Sequence, residues 1–215
     1  MLSLANRSLY LCVGYRDDMA EFLPAVLRGG IDVIQLREKD RDHEARRAMA
    51  AIMVPICRDF GVPFIMNDFP DLAVEVGADG VHVGQDDISV SDCRAIVGDD
   101  AIVGLSTHEA REFDAGLGEA VTYLSAGPIV ATPTKLGRPG TGVAYALACQ
   151  AKSPLPVFVT GGVNDETITD LVHQGLRHFV VVRHLTEASD PERAARALRT
   201  AFDEALVSVP VEPAQ

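Results

Sequence analysis

The chain has 215 residues, of which 47% are hydrophobic and 23% charged, and it carries a net charge of −12 at pH 7. These proportions suit one globular domain and exclude disordered, fibrous and membrane-spanning classes. The acidic balance, with only 6% aromatic residues and no Trp, argues against nucleic-acid binding, which needs a basic footprint or stacking rings. Cys12, Cys57, Cys93 and Cys149 are scattered, with no C-x-x-C pair. Buried free thiols in a reducing cytoplasm are therefore expected, not a zinc knuckle or a redox dithiol. Residues 1–7 lack the apolar core of a signal peptide, so the expectation is a soluble, cytoplasmic protein that touches no membrane.

Taken in order, residues 9–13 form an apolar run ended by Gly14, a first strand. Residues 19–27 repeat apolar side chains at helical spacing and exit at Arg28-Gly29-Gly30. A second strand starts at Ile31 and runs into Ile34-Gln35-Leu36-Arg37-Glu38-Lys39. Side chains alternate on a strand, so Gln35, Arg37 and Lys39 share one face, and Ile34 and Leu36 the other. Residues 40–59 read as a long helix in which Pro55 predicts a kink or early break. A third strand, 62–66, stops at Asn67-Asp68, and a short helix closes at Gly77. The fourth strand, 80–83, leads into Gly84-Gln85-Asp86-Asp87, with Ser89 or Ser91 capping the next helix. Strand five, 101–105, precedes Ser106-Thr107-His108 and a helix over 109–115. Strand six, 121–125, feeds the longest irregular stretch, 127–142, which is followed by a helix over 143–151. Strand seven, 157–159, ends at Thr160-Gly161-Gly162; a helix over 165–173 and strand eight, 179–182, follow, and residues 191–206 make the last helix.

Eight strands alternating with eight helical segments predict a single-domain (β/α)₈ barrel, an α/β TIM barrel over residues 1–206, with residues 207–215 a loose tail. In such barrels the active site lies at the C-terminal ends of the strands. The chemically useful residues gather there: Arg37 and Lys39, Asn67 and Asp68, Gln85 to Asp87, Ser106 and His108, Lys135, and Arg183-His184. Asn67-Asp68 and Asp86-Asp87 could also be helix caps or turn residues. Two carboxylates and two cations at one mouth would suit Mg²⁺ held on a phosphorylated substrate. His82, inside a strand, reads as a packed core residue, and His108 is left open between substrate and helix. Ser106 has no adjacent base, so it reads as a hydroxyl donor, not a nucleophile. The glycine-rich, cationic loop 127–142 reads as a lid over an anion. Gly161-Gly162 with Val182-Arg183 matches the phosphate site common to the last two loops of such barrels.

Together, Gln35-x-Arg37-x-Lys39, Asn67-Asp68, Gly80-Val81-His82-Val83-Gly84-Gln85-Asp86-Asp87, Gly104-Leu105-Ser106-x-His108, Gly127-Pro128-Ile129 with Thr132-Pro133-Thr134-Lys135, and Gly161-Gly162 resemble the thiamine phosphate synthase family. The resemblance implies a transferase that joins hydroxymethylpyrimidine diphosphate to a thiazole phosphate and releases pyrophosphate with Mg²⁺. It implies that Gln35, Leu36, Arg37, Glu38, Lys39, Asn67, Ser106 and Lys135 hold the pyrimidine diphosphate, with Arg37, Lys39, Ser106 and Lys135 assisting catalysis. Asp68 and Asp87 would be the metal ligands. Thr132, Pro133, Thr134, Gly162, Val182 and Arg183 would take the thiazole phosphate. His178 and Arg183 depart from the family pattern, which often has glycine and a small hydroxyl residue at these places. Glu38 is given no direct role beyond a backbone contact. The competing readings are a thiazole tautomerase relative, a non-catalytic phosphate-binding barrel and a sugar-phosphate epimerase. The oligomeric state stays open, a homodimer being one option.

Overall fold

In the computed structural model, which describes residues 3–131 and 140–208, eight parallel strands close into a barrel in sequence order. They are β1 (Leu9–Val13), β2 (Val33–Leu36), β3 (Phe64–Asn67), β4 (Gly80–Val83), β5 (Ile102–Thr107), β6 (Tyr123–Ala126), β7 (Val157–Thr160) and β8 (His178–Val181). Nine helices surround them among the described residues: α1 (Met19–Arg28), α2 (His43–Asp59), α3 (Pro70–Val76), α4 (Val90–Val97), α5 (Ala110–Gly116), α6 (Val143–Lys152), α7 (Ile168–His173), α8 (Arg183–Thr186) and α9 (Pro191–Ser208).

Several boundaries differ from those read in the sequence. Strands β3, β5 and β6 extend one or two residues further, to Asn67, Thr107 and Ala126. In β3 and β5 a polar side chain, Asn67 or Ser106, interrupts an apolar run without interrupting the backbone ladder, because it points into the cavity. Helix α2 continues through Pro55 without a break. Pro55 and Ala51, whose carbonyl loses its amide partner there, are both exposed, so water can satisfy the freed group. The single-turn helix α8, directly after β8, was not anticipated. Helix α9 carries on through Val207 and Ser208, which the sequence assigns to the tail; the Ser208 hydroxyl lies 2.9 Å from His173 Nε2.

Alternation along each strand makes two cores. Ile34, Leu36, Phe64, Met66, Val81 and Val83 face outward into a large layer shared with the helices. Inside, Leu4, Tyr10, Val33, Ile65, Ile102, Tyr123 and Phe158 plug the lower barrel. Phe158 sets its edge against Tyr10 and Tyr123 at centroid distances of 5.2 and 5.4 Å. Tyr123 crosses the interior only because Gly104 has no side chain: a Cβ there would lie 2.1 Å from the Tyr123 ring.

The barrel floor is tied by one carboxylate. Asp32 accepts the amides of Ser8 (3.0 Å) and Leu9 (2.9 Å) and pairs with Arg199 of α9 at 2.5 Å. Arg199 also donates to the Gly30 carbonyl. Asp32→Ala would strand two amides and a guanidinium in a half-buried place, a loss of about 3 kcal/mol. The expected fall in Tm is about 6–12 °C for a chain of this size. Thermal unfolding checks this, and a Tm within about 2 °C of the parent would deny Asp32 that role.

Candidate active site

The C-terminal ends of the strands surround a cavity of about 340 Å³. Its wall includes Gln35, Arg37, Asn67, Ser106, Gly162, Val182 and Arg183, seven of the residues singled out from sequence. Thr132, Pro133, Thr134 and Lys135, and with them half of the expected lid, lie outside the described residues.

At one side, β2 and β3 deliver the charged groups. The Arg37 amide donates to the Val13 carbonyl at 2.8 Å, which fixes where the strand leaves the barrel. Leu36 turns its side chain into the outer core and is 1% exposed. A contact between Leu36 and a ligand would therefore have to come from its backbone. Glu38 accepts the amides of Tyr15 and Asp40 at 3.1 and 2.9 Å. Burial raises its pKa, but the backbone amides on it more than offset that and leave the carboxyl below its usual range. It shapes the loop. Lys39 Nζ sits 2.6 Å from Asp68 Oδ2.

Asp68 has φ of 65°, a left-handed conformation that Asp and Asn tolerate better than other side chains. Its amide donates to the His82 carbonyl at 2.9 Å. Asp87 is held from the next loop, its Oδ2 accepting the Gly84 amide at 2.8 Å. Burial lifts the Asp68 pKa; the Lys39 ammonium pulls it down and the neighbouring Asp87 carboxylate pushes it up, so it stands above the ordinary value. A second carboxylate that raises the cost of ionising Asp68 makes this a place where a cation is favourable. Among the described residues no group of three or more His, Cys, Asp or Glu side chains gathers to hold a metal. A pair alone suits Mg²⁺, which keeps water and substrate oxygens in its shell. Asn67, 5% exposed, has a buried Nδ2 with no hydrogen-bond partner. A buried amide donor left open in a cavity wall points to a ligand acceptor.

Across the cavity, Gly161 and Gly162 take φ of 97° and 73°, conformations that favour glycine. They also make room: a Cβ on Gly161 would lie 2.8 Å from Pro128, and one on Gly162 2.7 Å from Val130. The base of the loop after β6 packs there, with the Ile129 amide donating to the Thr160 carbonyl at 2.8 Å. Helix α8 starts at Arg183, whose side chain is exposed at the rim. The first amides of a helix have no partner within it, so Arg183 can offer a backbone N–H whichever way its guanidinium points. His178, by contrast, sits at the far end of β8, its Nδ1 2.7 Å from the Arg7 carbonyl. Burial holds its pKa below the ordinary value. It belongs to the barrel floor.

The cavity also includes His184, which the sequence places at the strand ends, and Tyr10, Cys12, Tyr123, Ser125, Asn164 and Glu187, to which the sequence alone assigns no role in the site. His82, read as core packing, is buried yet reaches the cavity, with Nδ1 2.8 Å from Tyr123 Oη and Nε2 2.8 Å from Ser106 Oγ. The sequence held a signal for some of these. Tyr123-Leu124-Ser125 puts a phenol and a hydroxyl on one strand face, and a buried phenol needs a partner. His108 is bound to Glu112 at 3.1 Å and is not among the cavity residues.

Comparison with known proteins narrows the chemistry. A family model described as thiamine monophosphate synthase matches residues 9–185. The chain is 41% identical to the thiamine-phosphate synthase of Acidothermus cellulolyticus over 198 residues, covering 90% of this chain and 93% of that one. It is 44% identical to a thiamine-phosphate synthase of Thermus thermophilus over 174 residues, covering 80% and 84%. Among solved structures, thiamine phosphate pyrophosphorylase from Pyrococcus furiosus superposes with a TM-score of 0.84 at 23% identity, covering 93% and 96%. The 3-hexulose-6-phosphate synthase of Salmonella typhimurium reaches a TM-score of 0.70 at 14% identity, covering 92% and 99%. At such identities the likeness speaks for the barrel alone.

Proposed function

The chain belongs to the thiamine monophosphate synthase family, a transferase of thiamine biosynthesis acting on small phosphorylated substrates, and we propose how its cavity divides that work. The pyrimidine diphosphate lies across the β2–β5 side, with Gln35 and Ser106 at the ring and Arg37, Lys39 and Asn67 at the diphosphate. The thiazole phosphate lies against Gly162, Val182 and Arg183, joined by Thr132 and Thr134. Lys135 completes the cationic set on the leaving group. The carrying observation is the unpartnered Asn67 amide, one residue along the chain from the Asp68 carboxylate that pairs with Lys39.

In this reading the C–O bond to the diphosphate breaks with its electron pair leaving on oxygen, and the electron-rich aminopyrimidine stabilises the cationic methylene carbon. The thiazole nitrogen then supplies the pair for the new C–N bond. No protein nucleophile is required, although His82 Nε2 lies 2.8 Å from Ser106 Oγ, a neighbouring base that the sequence did not place there. Arg37 and Lys39 stabilise charge that grows on the departing oxygen. Mg²⁺, carried by Asp68 and Asp87, would supply further neutralisation of the leaving group. Lys39 keeps Asp68 oriented by its ion pair. A soluble, cytoplasmic location is part of the proposal. It is supported by four buried cysteines that form no disulfide with one another and by the finding that, among the described residues, no helix is long and apolar enough to cross a membrane.

Incubation with hydroxymethylpyrimidine diphosphate, thiazole phosphate and Mg²⁺ should yield thiamine phosphate and pyrophosphate in equal amounts. Thiazole tautomerisation without either product would place the chain with the tautomerase relatives and overturn the assignment.

A further inference from the structure

Five side chains inside the barrel form an unbroken hydrogen-bond chain. Gln35 Nε2 donates to Tyr10 Oη at 2.8 Å, and Tyr10 Oη lies 2.9 Å from Tyr123 Oη. Tyr123 Oη lies 2.8 Å from His82 Nδ1, and His82 Nε2 2.8 Å from Ser106 Oγ. At the Gln35 end, Oε1 accepts the Cys12 thiol at 3.1 Å.

Such a chain has a direction, because each hydroxyl donates once and a neutral imidazole donates from one nitrogen only. With Gln35 donating, Tyr10 must pass its hydrogen to Tyr123, and Tyr123 to His82 Nδ1. The imidazole then carries its proton on Nε2 and donates to Ser106, which leaves the Ser106 hydrogen for the cavity. The opposite sense would set the Tyr10 hydrogen against the Gln35 amide hydrogens and bury a donor without an acceptor, which is costly. Burial pushes the pKa of both phenols upward, so both remain donors.

We infer that this chain fixes the polarity of Ser106 from Gln35, three strands away, so that the two residues recognise the substrate ring as one coupled unit. The inference deepens the proposed function and rests on it for the identity of the ring. Ser106 is set as a donor, which favours a ring nitrogen acceptor at that point. Tyr10, Tyr123 and His82 are positioning residues in this account: they act through the two at the ends.

The test is nitrogen NMR of His82 in the ligand-free protein. The wild type should carry the proton on Nε2; a proton on Nδ1 would overturn the inference without any variant. Gln35→Glu, recorded at a pH where the new carboxylate is ionised, offers only acceptors, so Tyr10 must donate to it. The chain should reverse, moving the His82 proton to Nδ1 although residue 35 does not touch His82. Adding Tyr10→Phe cuts the chain and should restore the Nε2 form. An unmoved tautomer in Gln35→Glu, or a reversal that survives Tyr10→Phe, would overturn the coupling. In turnover, Gln35→Glu should raise KM for the pyrimidine diphosphate by about tenfold or more and leave KM for the thiazole phosphate unchanged. The tautomer readings need no turnover. A protein with the expected tautomers but no synthase activity would thus overturn the ring assignment and not the chain's direction.

Discussion

Asp68→Asn is expected to lower turnover by about 10³-fold with little change in Tm. Asn is the informative replacement because residue 68 holds φ of 65°, which Asn adopts almost as readily as Asp. Asp68→Ala would add backbone strain and confuse a fold defect with a chemical one. The amide keeps the shape of the carboxylate and removes its charge, and with it half of the pair that would hold Mg²⁺. Lys39, whose ammonium is 2.6 Å from Asp68, loses its partner at the same time. Steady-state kinetics over a range of Mg²⁺ should therefore show a weaker apparent affinity for the metal as well as a lower kcat. Unchanged Mg²⁺ dependence would remove Asp68 from the metal site.

Arg37→Ala should cost about 10²–10³-fold in kcat/KM for the pyrimidine diphosphate, the scale of losing one well-placed donor to developing negative charge. The backbone at residue 37 is anchored to Val13, so the strand end stays in place when the side chain is cut. Arg37→Lys should recover little, since an ammonium cannot reproduce the two-pronged contact of a guanidinium with phosphate oxygens. KM for the thiazole phosphate should stay as in the parent, because the proposed site of that substrate is at the glycine pair across the cavity. An equal loss for both substrates would show a general collapse of the site.

The barrel was legible because its strands repeat as apolar runs between helical stripes. The clustering of chemistry at the strand ends was legible because alternation assigns faces. That logic set Gln35 and Arg37 toward the cavity and Ile34 toward the helices, and the structure agrees. It also explains Leu36: the motif as a whole suggested substrate contact, but its position on the outward face sends its side chain to the core. Strand ends were misjudged at Asn67 and Thr107 because polarity was read as the end of a strand. Tyr10 and Tyr123 were passed over because a tyrosine in an apolar run looks like filler. Their role depends on contacts between residues 113 positions apart, which no local pattern contains. Helix α8 is a single turn, too short to leave a periodic signal.

The most direct test of the central claim is calorimetry of pyrophosphate binding with and without Mg²⁺. The wild type should bind pyrophosphate at least about a hundredfold more tightly when Mg²⁺ is present, and Asp68→Asn should lose that gain, a difference of about 3 kcal/mol. Equal affinity in the presence and absence of Mg²⁺, unaltered in Asp68→Asn, would contradict a diphosphate site shared between Arg37, Lys39 and a metal held by Asp68 and Asp87.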